Sequence, residues 1–345
     1  MKKYLFVLFS VFTILYHAQK REMADNFSKG NFEKAIEIGK TILKITPDDM
    51  DAILIIARSE NEKSNFESAL PYLDKAKSLM KEDYQKSWTL LESAKSNFGS
   101  GNLINSNVDY KEALKANGTK NSVKVLNRFG MISGLDEFYK NWKTVESRNI
   151  IFHFEKNISE QEISTIVKTR QQAFDQINLF FNSKLPKKID FFVWNQKDAF
   201  NPVLNKNLGF SEPALCVAHN RLNQSPGHEI AHNISFWKSK NNIRTQFINE
   251  GIGVCFDQQS DDKMSLAKAA FKKSPFDIRE IWKGNSAVSE DVLYLVAGAF
   301  VEYLVKTDKN QFLKLSENQT YENAEKIYNK KIDQMIENFI EKLNE

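Results

Sequence analysis

The chain has 345 residues, 41% of them hydrophobic and 27% charged, with two cysteines and 26 phenylalanines. These values exclude a collagen-like, wholly disordered or disulfide-stabilised scaffold, and the length is sufficient for two domains with separate cores. The net charge of +4 is small and the basic residues are dispersed, so the composition gives no indication of nucleic-acid binding.

The N-terminal segment has the pattern of a signal peptide. Lys2 and Lys3 precede an uncharged, largely apolar run over residues 4–16, which has the length of a signal-peptide core and is short for a membrane span. Cleavage after Ala18 would remove residues 1–18. Because Tyr16 occupies a position where a small residue is preferred, an uncleaved anchor is the alternative. We expect export to a bacterial periplasm or the extracellular space, without stable membrane insertion after cleavage.

Three segments that begin at Gly30, Ser64 and Gly101 share a small residue, an asparagine and an apolar residue. In the first two copies apolar residues follow at helical spacing, and each of the three copies is expected to open a helix. Pro47 ends the first of these helices. The pattern resembles the tetratricopeptide repeat, which implies stacked helical hairpins over residues 19–118. Their surface is either a binding face for a protein partner or a helical spacer.

A change of pattern after the repeats indicates a second domain. A turn-rich break precedes a helical connector, which we assign to residues 119–139. Residues 150–154 and 189–194 are dense in β-branched and aromatic side chains and are predicted strands. Residues 159–182 have the periodicity of an amphipathic helix. The predicted fold class is α+β, with a helical repeat domain followed by a small sheet with helices over residues 140–345.

The second domain contains the sequence His-Glu-Ile-Ala-His at positions 228–232. Residues four apart share one face of a helix, so His228 and His232 can bind one Zn²⁺ together. Glu229 lies beside the first histidine and can reach a water molecule at the metal, as a general base does. The spacing therefore predicts a catalytic zinc site, which needs a third protein ligand and one open position.

Glu250 is the candidate third ligand, 18 residues after His232 and next to Asn249. A His-Glu-x-x-His motif followed by an Asn-Glu pair resembles the gluzincin metallopeptidases, in which that glutamate completes the zinc site. The rival pattern uses a third histidine shortly after the motif, but no histidine follows His232 in this chain. The resemblance implies a Zn²⁺ cofactor that lowers the pKa of a bound water. Glu229 then takes a proton from that water and delivers it to the leaving amine.

The resemblance extends to the small bacterial gluzincin-like domains called peptidase MA-like. Residues 147–154 and 208–219 look like strands of those domains, and residues 294–304 look like the long helix under their site. The resemblance implies that an edge strand around residues 214–219 pairs with an extended peptide substrate.

Two further features of the predicted site remain open. The resemblance implies a side chain that donates a hydrogen bond to the oxyanion, and the candidates are Tyr294, Tyr303 and His219. Cys216 precedes the zinc motif and Cys255 lies on the predicted third-ligand helix. They are either two separate buried thiols or, given export, a disulfide.

These features together predict an exported zinc-dependent metallopeptidase that hydrolyses peptide bonds in a peptide or protein substrate. One alternative is a repeat-based protein-binding module whose peptidase-like domain holds zinc without catalysis. The other is a zinc hydrolase of a non-peptide amide. Glu229 favours catalysis, because a site that only holds zinc has no need for a general base.

Overall fold

The computed structural model describes residues 2–195, 203–204, 206, 208–239 and 243–345. Helices account for 65% of the structure, and its described part contains sixteen α-helices and one five-stranded mixed sheet. This confirms the predicted α+β class. The chain divides into two compact units, Met1–Lys140 and Asn141–Glu345, and each is considered by itself.

The first unit is a series of helices connected by short turns. Its described residues form α1 (Lys2–Ser28), α2 (Phe32–Ile45), α3 (Met50–Glu62), α4 (Phe66–Leu79), α5 (Asp83–Gly99), α6 (Leu103–Lys115) and α7 (Lys120–Ser133). Each helix packs against the next, and α1 also contacts α3, α3 contacts α5, and α5 contacts α7. This nearest-neighbour packing is that of stacked helical hairpins.

Helix α1 continues through the predicted cleavage site after Ala18. Met23, further along α1, is fully buried among apolar side chains of α2 and α3. The Tyr16 hydroxyl donates a hydrogen bond to the Asp49 carboxylate, and Lys20 Nζ lies 3.2 Å from the same group. Among the described helices, none is long and apolar enough to span a membrane. The signal peptide and its cleavage remain predictions.

The turn before α2 recurs before α4 and α6. Its first residue has a positive φ, which is 76° at Gly30, 61° at Ser64 and 82° at Gly101. The N–H of the asparagine that follows donates to the carbonyl five residues earlier, at 2.9, 2.8 and 2.7 Å in the three copies. This Schellman motif caps one helix and lets the next begin at once. Each copy of the repeat therefore opens a helix, as predicted.

The contact between α3 and α5 contains a buried carboxylate. Glu92 is 2% exposed and lies 3.4 Å from Arg58 Nε and 3.4 Å from Lys95 Nζ. The Asn61 side-chain amide donates to Glu92 Oε2 at 2.9 Å. Burial alone would raise the pKa of Glu92, but the two positive charges and the hydrogen bond outweigh burial and lower that pKa. The carboxylate is therefore ionised and joins the two helices.

The second unit surrounds one sheet with helices. Its described strands are β1 (Lys143–Glu146), β2 (Ile150–Phe154), β3 (Ile189–Trp194), β4 (Phe210–Glu212) and β5 (Val217–Arg221). Its described helices are α8 (Glu160–Phe181), α9 (His228–Phe236), α10 (Gln246–Cys255), α11 (Lys263–Lys273), α12 (Ile278–Lys283), α13 (Glu290–Thr307), α14 (Lys309–Leu315), α15 (Tyr321–Ile327) and α16 (Ile332–Asn344). Strands β2 and β3 and helix α8 confirm three predicted elements.

The strand order in the sheet is β1-β2-β3-β5-β4. Strands β2, β3 and β5 run parallel, and the pairs β1–β2 and β4–β5 are antiparallel. The prediction of an edge strand around residues 214–219 is therefore wrong, because β5 lies between β3 and β4. A 3₁₀ turn at Pro213–Leu215 and a positive φ of 52° at Cys216 reverse the chain there. The reversal makes β4, rather than β5, the edge strand on this side of the described sheet.

Four parallel rings lie side by side on one face of the sheet. This aromatic ladder consists of one ring each from β2, β3, β5 and β4, namely His153, Phe192, His219 and Phe210. Neighbouring ring centroids are 4.4, 4.5 and 4.7 Å apart. Trp194 Nε1 donates to His219 Nδ1 at 3.1 Å, and the Trp194 ring lies 4.9 Å from that of Trp142. Because side chains alternate along a strand, the next residues face the opposite side of the sheet.

A buried glutamine fixes the beginning of α10. Gln319 is fully buried, and its Oε1 accepts a hydrogen bond from the backbone N–H of Thr245 at 3.1 Å. Thr245 is the N-cap residue of α10. The backbone carbonyl of Gln319 also accepts a hydrogen bond from Trp282 Nε1 at 2.7 Å. These contacts, with the packing of α13 along α10, set the position of the helix that carries Glu250.

Candidate metal centre

The two histidines of the motif lie on one face of α9. The helix begins at His228 and His232 follows about one turn later, so both imidazoles project in the same direction. Their Nε2 atoms are 3.1 Å apart. Nδ1 of His232 is buried without a hydrogen-bond partner among the described residues, so packing holds this ring in place.

Glu250 reaches the same point from α10. Its Oε2 atom lies 3.3 Å from His228 Nε2 and 3.5 Å from His232 Nε2. Two ligand atoms at 2.0–2.1 Å from a tetrahedral Zn²⁺ are about 3.3 Å apart, so the three atoms have a spacing that fits this ion. Two imidazoles and one carboxylate are also donors that zinc accepts. The structure thus brings together the three residues that the sequence singled out as ligands.

The negative charge of Glu250 and the positive charge of His228 stabilise each other. Burial opposes ionisation of Glu250, but hydrogen bonds from His228 and His232 hold the pKa of its carboxyl far below the usual value. Burial would lower the pKa of His228, but the hydrogen bond with Glu250 and the nearby carboxylates of Glu229 and Asp257 outweigh burial and raise it. Glu250 is therefore an anion, which is the form that binds a metal.

Glu229 lies beside the three candidate ligands but is not part of their cluster. Its side chain is buried, and a Cβ on Gly209, the residue just before β4, would lie 3.1 Å from its Oε1 atom. Burial raises the pKa of Glu229, and the positive charges of His228 and His232 offset only part of that increase. A buried carboxyl group with a raised pKa is suited to accepting and returning a proton.

Tyr294 of α13 is the candidate oxyanion donor that lies at this site. Its ring centroid is 6.0 Å from that of His228. Burial raises the pKa of Tyr294, and the negative charges of Glu250 and Glu290 raise it further. The hydroxyl therefore keeps its proton and can donate it in a hydrogen bond.

The other two candidate donors lie elsewhere. Tyr303 is nine residues after Tyr294 on α13, which is two and a half helical turns, so it occupies the opposite face. It packs against Phe300 and Phe339. His219 is fully buried in the aromatic ladder, on the other face of the sheet from α9. The structure brings neither of them to the metal ligands.

The two cysteines are free thiols, and the structure contains no disulfide between them. Burial raises the pKa of Cys216 and that of Cys255 to about 12. Both groups are therefore protonated at neutral pH and poor metal ligands. This agrees with the interpretation of two separate thiols.

Two residues of the site were not predicted from the sequence. They are Gly253, against which the His228 ring lies, and Gln319 behind α10. The glycine could have been noticed two positions after Gly251 in the predicted third-ligand helix. The glutamine carries no local signal, because its role depends on how the helices pack.

Comparison with protein-family models gives no match to this chain, and comparison with curated proteins gives none either. The functional conclusion therefore rests on the geometry and chemistry of the site.

Proposed function

We propose that this protein is a gluzincin-type, zinc-dependent metallopeptidase that hydrolyses peptide bonds. The main support is the cluster of His228, His232 and Glu250, whose donor atoms are 3.1–3.5 Å apart. Glu229 is buried next to this cluster without belonging to it. A site that only stored zinc would need the three ligands, but it would not need a carboxyl group beside them.

Each residue of the site has a role in this proposal. His228, His232 and Glu250 hold Zn²⁺, which when bound supplies a Lewis acid that polarises the scissile carbonyl. The Glu229 carboxylate accepts a proton from the attacking water and delivers it to the nitrogen of the leaving amine. The Tyr294 hydroxyl donates a hydrogen bond to the oxygen on which negative charge develops.

The proposed substrate is a peptide in an extended conformation. Strand β4 is an edge of the described sheet and contacts α9, and a Cβ on Gly209, just before β4, would lie 3.1 Å from Glu229 Oε1. A peptide that pairs with the outer edge of β4 through backbone hydrogen bonds would bring one of its peptide bonds to the site. This pairing requires no particular side chain.

We infer that the first unit is a tetratricopeptide-like array. The recurrent turn at Gly30, Ser64 and Gly101 and the packing of consecutive helices support this inference. In this proposal residues 1–18 direct export to a periplasm or the extracellular space, and the helices present a surface to a protein partner. If the repeats bind and the second unit only holds zinc, the protein contains zinc but hydrolyses nothing.

The proposed function is tested by replacing the general base. Glu229→Gln keeps the shape of the side chain, but an amide cannot accept a proton near neutral pH. We expect zinc content and folding to be unchanged and peptide hydrolysis to fall by about 10² to 10⁴, the typical contribution of a general acid–base group. Zinc is measured by elemental analysis, and hydrolysis with a library of peptides of varied sequence.

Glu322→Gln is the matched control, because Glu322 is an exposed residue of α15 in the same unit and its loss should leave hydrolysis unchanged. Zinc should be lost in a variant that combines His228→Ala with His232→Ala. A full complement of zinc in that double variant would contradict the metal site. Fully zinc-loaded wild type without activity on any peptide would favour the binding module, and activity on other amides alone would favour a non-peptide hydrolase.

A further inference from the structure

The short segment before α10 contains an arginine, Arg244, whose two chain neighbours are both anchored. The Ile243 N–H donates to the Glu317 carbonyl at 3.3 Å, and the Ile243 carbonyl accepts a hydrogen bond from the Gln319 N–H at 2.8 Å. On the other side, the Thr245 N–H donates to Gln319 Oε1 at 3.1 Å. Since the backbone is held before and after Arg244, the side chain of this residue extends from a fixed point.

The guanidinium group of Arg244 contacts both helices that carry the candidate ligands. Its Nη1 atom donates to Ser235 Oγ of α9 at 3.1 Å and to Asn249 Oδ1 of α10 at 3.1 Å. This nitrogen carries two hydrogens, so it can serve both acceptors at once. The group also lies over the ring of Phe236, 5.4 Å from its centroid, at the C-terminus of α9, where the helix dipole favours a positive charge. Arg244 thus joins α9 to α10.

Each end of this arginine bridge, which consists of Arg244, Ser235 and Asn249, lies next to a candidate ligand. Ser235 is fully buried, and its hydroxyl donates to the backbone carbonyl of His232 at 3.4 Å. Asn249 immediately precedes Glu250 in α10. Because His232 Nε2 and Glu250 Oε2 are 3.5 Å apart, a relative shift of the two helices would take these atoms away from the spacing that fits one Zn²⁺.

We propose that Arg244 is a positioning residue for the metal centre, and that it holds His232 and Glu250 at the separation that zinc requires. This inference rests on the proposed function. Arg244 binds neither metal nor substrate in this role and acts through Ser235 and Asn249. The asparagine of the Asn-Glu pair then has a role in the site although it is not a ligand.

The first test measures the zinc affinity of the full chain by competition with a chelator of known strength. Arg244→Met keeps an unbranched, adaptable side chain but removes the donors, and it should weaken zinc binding about 10- to 100-fold, the range typical of residues that orient metal ligands. Asn249→Leu should have an effect of similar size. Because both changes break the same bridge, the double variant should bind zinc about as tightly as either single variant. If the two losses multiply instead, the side chains act separately and the inference is overturned.

The second test reports the arrangement of the ligands directly. Co²⁺ bound in place of zinc has a visible absorption spectrum that depends on its coordination geometry, and this spectrum should change in Arg244→Met. Arg279→Met is the matched control. Arg279 of α12 also joins two helices, since its Nε lies 2.6 Å from the Asp333 carboxylate of α16, but none of its hydrogen bonds within the described ranges reaches α9 or α10. Its loss should lower the free energy of unfolding and leave zinc affinity and the Co²⁺ spectrum unchanged.

The outcomes separate this inference from the function on which it rests. A wild type that binds zinc but hydrolyses no peptide refutes the proposed function, while zinc affinities and Co²⁺ spectra still decide the role of Arg244. Unchanged zinc affinity or an unchanged Co²⁺ spectrum in Arg244→Met overturns the inference alone, because the arginine then only stabilises the fold. If Arg244→Met does not fold, Asn249→Leu decides by the same two measurements. A wild type that binds neither metal overturns both proposals.

Discussion

The imidazole of His228 lies against the backbone of α10 because residue 253 has no side chain. A Cβ on Gly253 would come within 2.6–2.8 Å of three atoms of the His228 ring, closer than a carbon atom can approach without displacement. The ring is rigid and belongs to a metal ligand of the proposed site, so it cannot move aside without leaving the position that faces Glu250. One missing methyl group therefore allows the two helices that carry the candidate ligands to meet.

Gly253→Ala is expected to weaken zinc binding by about 10- to 100-fold, since changes to residues that orient ligands have effects of this size. The helix itself should tolerate the change, because alanine is about 1 kcal/mol better than glycine in a helix interior. Zinc affinity is measured by competition with a chelator of known strength. Val254→Ala is the control, because Val254 points to Gly298 of α13. Equal zinc affinity in Gly253→Ala and wild type would contradict this argument.

Two of the three candidate ligands could be predicted together because they are close in the sequence. Four residues along a helix return to the same face, so the proximity of His228 and His232 follows once α9 forms. Glu250 could be added only through the resemblance to gluzincins, since its approach depends on how α10 packs. Tyr303 could not be separated from Tyr294 without knowing where α13 lies, because an apolar helix gives no sign of which face meets the site.

Among the recurrent turns of the repeat array, Ser64 is the copy with a side chain. Its φ of 61° is in the left-handed region, which costs a residue with a Cβ about 1–2 kcal/mol and costs glycine little. Gly30 and Gly101 occupy the same position in the other copies at 76° and 82°. The middle turn is therefore strained, while the backbone hydrogen bonds of the Schellman motif are made in all three copies.

Ser64→Gly is expected to raise the free energy of unfolding by about 0.5–1 kcal/mol. Relief of the left-handed strain exceeds the added freedom that glycine gives to the unfolded chain. Ser100→Gly is the control, because Ser100 has a φ of −82° at the end of α5 and should lose about 0.5–1 kcal/mol. Both are measured by urea denaturation. A destabilised Ser64→Gly would mean that the serine side chain contributes more than its backbone costs.

Long elements were predictable from the chain and short ones were not. Helix α8 and strand β3 have enough apolar residues at one period to be recognised. Strands β1 and β4 are four and three residues long, too short for a period to be visible. The reversal at Cys216 could not be predicted, because a positive φ at a cysteine has no sequence signature. Without this reversal the sequence places the sheet edge on β5 and not on β4.

At the scale of the whole molecule, stability should fall in acid. Glu92 has a lowered pKa in the folded chain, so its contribution is fully present above the unfolded-state pKa of about 4.3 and is lost as pH falls through the lower folded-state value. Asp190 in the second unit follows the same rule. Burial opposes its ionisation, but Lys187 and His153 lower its pKa.

Glu92→Gln should therefore lower the free energy of unfolding at pH 7 by about 2 kcal/mol. This value lies between the loss typical of an exposed ion pair and the loss on removing one partner of a buried ion pair. The difference between this variant and wild type should shrink between pH 5 and the acid limit, as wild type loses the same charge. This difference in the free energy of unfolding is measured by urea denaturation at several pH values. Glu62→Gln is the control, because Glu62 pairs with the same Lys95 at 3.2 Å but is 44% exposed. A constant difference at every pH would contradict the assignment to ionisation of Glu92.

The pair of indoles beside the aromatic ladder, Trp142 and Trp194, has an optical consequence. Trp142 and Trp194 lie 4.9 Å apart with an angle of 77° between their planes, so light absorbed by one chromophore is shared with the other. Shared excitation between rings that are not parallel splits their ultraviolet transition into two bands of opposite circular dichroism. Both tryptophans belong to the second unit, so this couplet reports the packing of its sheet independently of the helical signal of the first unit. The protein thus carries a label-free spectroscopic probe on the face of the sheet opposite α9.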